Sequence, residues 1–282
     1  MARLIVAPEV KEFRARVEPF LLAHEAENNL TFGILYAISQ GRHDEAFLAS
    51  LEEDGEVIAV AIQTPPHNLV LSIASAEATK MLAEQLDTAW PGVNGEARQA
   101  GLFADIWSER TGQSFATQMQ QRIYALTDVE RPVGVEGAPR LAAEGDRALL
   151  ERWFLEFERE ALPTEDANAN QTARRVEWFL TNADSGVMLW EHEGTPVSVA
   201  GHSGPTPNGM RVGPVYTPPG QRGRGYASAC VAELSACVLA SGRRFCFLYT
   251  DLANATSNSI YQRIGYRPVC DAAVYRFPDP DV

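Results

Sequence analysis

Hydrophobic positions along this chain switch between two spacings, and the switches mark the elements. In the first half, Glu9 to His24 and Asn28 to Ile38 place apolar residues every three or four positions, as amphipathic helices do. Phe47 to Leu51 and Val57 to Gln63 are short strand-forming runs around Asp54-Gly55, a tight-turn pair, and predict a hairpin. A strand over Asn68 to Ala74, helices over Glu77 to Trp90 and Gly101 to Thr111, and a strand over Met119 to Ala125 follow. Val129 to Pro139, rich in Pro and Gly, reads as a linker. The second half repeats the grammar. Arg140-Leu141 opens a strand, and Asp146 to Leu162 sets Leu149, Leu150, Trp153, Phe154 and Phe157 at helical spacing. A helix over Thr172 to Asn182 precedes a hairpin, Gly186 to His192 and Thr195 to His202, turning at Glu193-Gly194. Then come a strand over Met210 to Thr217, a helix ending at Ala240 before the C-capping Gly242, and a buried strand over Arg244 to Thr250. A helix over Asn254 to Ile264 and a strand over Pro268 to Phe277 close the chain. This order predicts two domains, 1–130 and 131–282.

Composition narrows the possibilities. A chain of 282 residues has room for two domains of ordinary size. Its formal charge is −13, with 9 basic against 19 acidic residues up to Glu130 and 15 against 18 afterwards. Such acidity argues against nucleic acid or an anionic membrane as a partner, and a polyanionic ligand would meet less repulsion in the second half. The four cysteines, Cys230, Cys237, Cys246 and Cys270, form no Cys-x-x-Cys pair, so neither zinc nor a disulfide framework is expected. Cys230 and Cys237, seven apart in one helix, are expected on one face as core thiols. The opening MARLIVAPEVKEF becomes charged too early for a signal peptide, and no apolar run has the length of a membrane span. A cytoplasmic monomer or homodimer is expected.

The richest stretch is RVGPVYTPPGQRGRGYA, residues 211–227. A strand ends at Pro218-Pro219, which lack N–H groups, and Arg222-Gly223-Arg224-Gly225 leads into a helix. Glycines beside a helix N-terminus let free amides approach an anion, so this turn can cradle a phosphate. It is neither a Walker A loop nor the dinucleotide fingerprint. On local chemistry alone, an ordinary strand-to-helix turn with surface arginines remains open.

A second stretch changes that. Arg222-Gly223-Arg224-Gly225-Tyr226-Ala227 fits Arg/Gln-x-x-Gly-x-Gly/Ala, and Asn254, Tyr261 and Gly265-Tyr266 follow at the matching spacing. Together they resemble the GNAT family of acyl-CoA-dependent N-acyltransferases, over about residues 138–282. The resemblance implies an α/β fold, here two GNAT-like domains in tandem, each a mixed, largely antiparallel sheet flanked by helices. It implies that the backbone of Val215, Tyr216 and Thr217 pairs with the pantetheine arm. The amides of Arg222, Gly223, Arg224, Gly225, Tyr226 and Ala227 would hold the pyrophosphate. Asn254 and Asn258 would contact the cofactor, and Tyr261 would protonate the leaving thiolate. Acetyl-CoA is the implied acyl donor, with no metal. In the first half the corresponding turn, Ser75-Ala76-Glu77-Ala78-Thr79, holds an acid and no glycine, so that half resembles a degenerate copy without a cradle.

The expected reaction is direct attack of a primary amine on the thioester. The acceptor stays open between a small molecule and a peptide amine. An amine protonated at neutral pH needs a base, and Glu156, Glu158, Glu160, Glu191, His202 and Asp251 are candidates, with none assigned. Acids in the loop Pro163 to Gln171 could attract a cationic amine. The alternative is a non-catalytic CoA-binding regulatory or sensing module, which shares the cradle but turns nothing over.

Overall fold

The structure, a computed structural model, describes residues 2–43, 45–161 and 168–278. In chain order the elements begin with β1 (Arg3–Val6), α1 (Val10–Leu22), α2 (Asn29–Ser39), β2 (Phe47–Glu53), β3 (Glu56–Gln63) and β4 (Leu69–Leu71). They continue with α3 (Ala76–Gln85), β5 (Gly92–Glu96), α4 (Ala97–Thr111) and β6 (Ala116–Leu126). The later elements are β7 (Ala138–Leu141), α5 (Arg147–Ala161), α6 (Ala169–Thr181), β8 (Gly186–His192), β9 (Thr195–Pro205) and β10 (Gly209–Tyr216). Last come α7 (Tyr226–Ala240), β11 (Phe245–Asp251), α8 (Ala255–Ile264) and β12 (Arg267–Arg276).

Two compact units result, and neither is a contiguous half of the chain. The first comprises Met1–Ile123, Thr250–Ala253 and Pro268–Val282; the second comprises Tyr124–Tyr249 and Asn254–Arg267. A cut near residue 130 assigns the closing strand to the second domain. In the structure β12 instead pairs antiparallel with β5, Ala272 opposite Glu96 through Arg276 opposite Gly92. That pairing explains why β5 escapes sequence reading. Its sequence, GVNGE, has poor strand propensity, and Gly92 lies directly against the Tyr275 carbonyl, where a Cβ has no room. The expected helix to Trp90 stops at Gln85, and β1 pairs with β2 although the sequence reading had no strand there.

In the first unit β1, β2, β3 and β4 run antiparallel in order, and β4 pairs parallel with β5. One core lies under α1 and α2 around Phe13, Phe32, Leu35 and Ile62, and another under α3 and α4 around Leu69, Leu82, Phe103 and Trp107.

In the second unit β7, β8, β9 and β10 are antiparallel neighbours, and β10 pairs parallel with β11. Alternation along these strands divides two apolar layers. Met188, Trp190, Met210 and Val212 meet α7, while Val187, Leu189, Val199 and Tyr216 meet α5 and α6. Glu193 (φ 50°) and Gly194 (φ 71°) make the predicted β8–β9 turn, with both φ values positive as tight hairpins require.

Cys230 is fully buried, but Cys237 is exposed, which corrects the expectation of two core thiols. The first two turns of α7 are enclosed through Tyr226, Ala229, Cys230, Val231 and Ala232; farther along, Leu234, Ser235 and Val238 carry the burial, and Cys237 lies off that face.

A β-bulge shapes β10. Val212 pairs with His202 and Val215 with Ala200, so Gly213-Pro214 together oppose Gly201. A Cβ on Gly201 would lie 2.8 Å from the Phe179 ring and 3.2 Å from the Gly213 carbonyl oxygen. Gly201→Ala should therefore destabilise the protein by about 1–3 kcal/mol, as overpacked sites do. Urea unfolding checks this, and an unchanged midpoint would refute the close packing at the bulge.

Candidate functional site

In the second unit, backbone is left unpaired where β10 parts from β11. β10 and β11 pair only at Gly209–Phe245, Met210–Cys246 and Arg211–Phe247. Beyond Arg211 the strands have no register partners in each other, so the edge of β10 from Val212 to Tyr216 that faces β11 is open. The chain then makes a short 3-10 turn, Pro219–Gln221, and enters α7 through two glycines with positive φ, Gly223 at 78° and Gly225 at 81°. The Gly225 conformation is one that L side chains adopt only with strain.

Among the described residues, the amides of Gly223, Arg224, Gly225, Tyr226, Ala227 and Ser228 have no acceptor within the chain; the first bonded amide of α7 is that of Ala229, to the Gly225 carbonyl. These donors point where the helix dipole is positive. The Arg222 amide, expected among them, already donates to the Pro219 carbonyl at 3.3 Å, while the Ser228 amide is free and was missed. The signal for Ser228 was available, because it is the third residue of α7 and all first-turn amides lack partners.

Arg222 uses its side chain elsewhere. Its Nε donates to the Thr217 carbonyl at 2.8 Å, a terminal nitrogen meets Glu160 at 2.6 Å, and the guanidinium lies 5.7 Å from the Tyr216 ring centre. Arg222 thus braces the turn rather than facing an anion. Ser198 reinforces the strand end, donating to the Tyr216 carbonyl and sharing a 2.8 Å hydrogen bond with the Thr217 hydroxyl. A pocket of about 390 Å³ adjoins the free amides, lined by Gly223, Gly225, Ser228 and Arg263 among others.

The asparagines turn out to be structural as well. Asn254 is the N-cap of α8, its side-chain oxygen accepting the Ser257 amide at 3.0 Å. Asn258 donates to the Asn254 carbonyl at 2.8 Å and accepts from the Tyr124 hydroxyl at 3.1 Å. Tyr261 is half-buried and packs edge-on against Tyr266, ring centres 5.9 Å apart. The Tyr266 hydroxyl is in turn held by Ser235 of α7 at 2.8 Å. The Tyr261 hydroxyl has no hydrogen-bond partner among the described residues. Burial pushes its pKa up to about 12, so it carries its proton through the whole neutral range.

The base candidates separate. Glu158 holds Thr172 and Arg175, Glu160 holds Arg222, Glu191 holds Arg140, and Asp251 accepts the Ala253 amide. His202 lies on β9 between Gly186 and Val212, on the face that meets α7. Burial first, then the nearby Arg243 cation, lowers its pKa to about 4, against a smaller opposing pull from Asp184. It is neutral at physiological pH, and its buried Nδ1 has no partner. Glu156 differs. It lies near Tyr216, the last residue of β10, and after burial its proximity is the next cause raising that tyrosine's pKa to about 12. The acidic loop expected over 163–171 lies largely outside the described residues, which resume at Asn168, the N-cap of α6.

In the first unit the matching positions are closed by side chains. Ser75 caps α3 by accepting the Ala78 amide at 3.1 Å, Asn28 accepts the Ile73 amide at 2.8 Å, and Gln99 donates to the Ala74 carbonyl at 2.5 Å and to Thr79.

The site of the second unit thus joins an open strand edge to a row of free amides, and residues 148–266 match the family model described as the acetyltransferase (GNAT) family. These residues form a GNAT-family domain. No curated protein matches the chain. Among solved structures, a GCN5-related N-acetyltransferase from Sphaerobacter thermophilus is 18% identical, with coverage of 99% of this chain and 98% of the other and a TM-score of 0.62. A Drosophila protein is 11% identical, with 98% of each chain covered and a TM-score of 0.68. A tandem GNAT protein from the clavulanic acid biosynthesis pathway is 11% identical, with 97% of each chain covered and a TM-score of 0.53. At these identities the likeness is one of fold, and it extends over the full length. The GNAT domain's free amides and open β10 edge fit an acyl-CoA, whose diphosphate and peptide-like arm need those two features.

If Asn254 holds the start of α8 as its geometry indicates, Asn254→Ala should cost about 1 kcal/mol of stability, the usual value of a helix N-cap. A thermal melt monitored by circular dichroism reads this, and an unshifted midpoint would deny the cap.

Proposed function

We propose that this protein transfers an acetyl group from acetyl-CoA to a primary amine by direct attack, within the second unit. The observation that carries this reading is the run of unbonded amides from Gly223 to Ser228 beside the open edge of β10. Bound acetyl-CoA supplies a thioester carbonyl activated toward nitrogen nucleophiles. The amides of Gly223 to Ser228 hold the diphosphate, and Val215, Tyr216 and Thr217 align the pantetheine arm along β10. Tyr261, protonated and without a competing partner, gives its proton to the departing thiolate as the C–S bond breaks. Glu156, on α5 near Tyr216, is the carboxylate that we assign to take the proton that the attacking amine loses. Removing the Tyr261 hydroxyl tests the assignment. Tyr261→Phe should lower kcat by a factor of about 100 or more, the scale of a lost general acid, with little change in acetyl-CoA affinity. Equal kcat in the two proteins, followed by thiol release, would reject the role of Tyr261.

The first unit is read as a copy of the same fold that takes no CoA. Asn28, Ser75 and Gln99 already occupy backbone groups of the kind left free in the second unit. Calorimetric titration with acetyl-CoA should therefore give one site per chain; two sites would contradict a closed first unit. Zero sites would remove the acetyltransferase reading itself.

A further inference from the structure

The last turn of α5 carries two carboxylates with different partners. Glu158 accepts the Thr172 hydroxyl at 2.7 Å and pairs with Arg175 at 3.2 Å, both on α6. Glu160, two residues on, meets Arg222 at 2.6 Å. Two residues turn a helix by about 200°, so the two side chains leave α5 on opposite sides. The end of α5 thus bridges α6 and the turn before α7. Arg222 closes the bridge, because its Nε donates to the Thr217 carbonyl while a terminal nitrogen donates to Glu160. One guanidinium fixes both the turn and the helix, and Arg222 directly precedes Gly223, the first of the free amides. Glu156 lies one helical turn before Glu160, on the same face. After burial, Glu156 and then Glu160 raise the Tyr216 pKa, so both carboxylates lie toward the end of β10.

We infer that Glu160 is a positioning residue: through Arg222 it holds the face of α5 that carries Glu156 in place against the turn that binds the acyl donor. This inference rests on the acetyl-CoA reading above. A donor bonded to the Gly223 to Ser228 amides holds the turn still. The Arg222–Glu160 pair passes that restraint to α5 and, through Glu158, to the start of α6. The helix that bears the proposed base is then steadied when the thioester is in place. The two side chains are 47% and 48% exposed, so the pair acts with the strength of a surface ion pair, up to about fivefold in an equilibrium constant. That is too little to decide whether the domain folds and enough to bias one helix end.

The test follows amide hydrogen exchange along α5 and α6, with and without saturating acetyl-CoA, in wild type, Glu160→Ala and Glu160→Gln. Calorimetry with acetyl-CoA and thermal melts accompany it. In wild type, acetyl-CoA should slow exchange in the last turn of α5 by about two- to fivefold. Glu160→Ala should bind acetyl-CoA within about twofold of wild type yet lose that protection, and Glu160→Gln, with an acceptor oxygen but no charge, should fall between the two. Equal protection in wild type and Glu160→Ala, or none in wild type despite binding, overturns the inference and leaves the acetyltransferase reading standing. If wild type binds no acetyl-CoA, both fall.

Discussion

Backbone groups without a partner in the chain must be met by water or a ligand, and the second unit gathers a run of them where β10 ends and α7 begins. β10 leaves β11 after three paired residues, and α7 starts on six amides with nothing to bond. Both departures meet at the same turn, where Gly223 and Gly225 supply the positive φ values and Arg222 braces the loop against Thr217 and Glu160. The bulge at Gly213-Pro214, the close approach of Gly201 and the Ser198–Thr217 hydrogen bond all serve to hold this open end in place. An arrangement so well supported around unsatisfied groups is what a binding site for an extended, phosphate-bearing ligand requires.

The first unit follows the same order of strands and helices but closes the corresponding turn with side chains. Where the second unit has glycines and free amides, the first has Ser75 as a helix cap, Asn28 on the Ile73 amide and Gln99 on the Ala74 carbonyl. Asn28 and Gln99 are both buried: Asn28 bonds backbone through both ends of its amide, while Gln99 bonds the Ala74 carbonyl and Thr79 through its nitrogen and leaves its oxygen without a partner among the described residues. The contrast between the units is therefore one of side-chain chemistry laid on a common fold.

Tyr216 links the end of β10 to α5 and to the turn before α7. Its ring is buried against Trp153 of α5, and the Arg222 guanidinium lies near its face. One strand residue thus contacts both the turn before α7 and a helix rich in carboxylates. His202, by contrast, sits in the layer that meets α7 and stays neutral, which suits a packed residue more than a base.

Much was legible from the order of residues alone. The helical and strand spacings, the turn pairs Asp54-Gly55 and Glu193-Gly194, and the glycine-spaced turn into α7 are local signals, and local steric and hydrogen-bond rules decide them. Asn254 was legible as a position, but its work as the cap of α8 was not, because the family spacing assigns a role without saying what the side chain already bonds. The tertiary structure alone decided the rest. It gave β12 to the first unit, since strand partnership depends on a register between segments far apart in sequence. It made a strand of glycine-rich GVNGE, whose partners β4 and β12 supply what its propensity lacks. It left Cys237 exposed, because the buried arc of α7 shifts from Tyr226 and Cys230 to Leu234, Ser235 and Val238, and helical periodicity does not say where the cover lies. And it brought Arg263 to the pocket beside Gly223 and Gly225, a convergence of two helix ends that no spacing along the chain encodes.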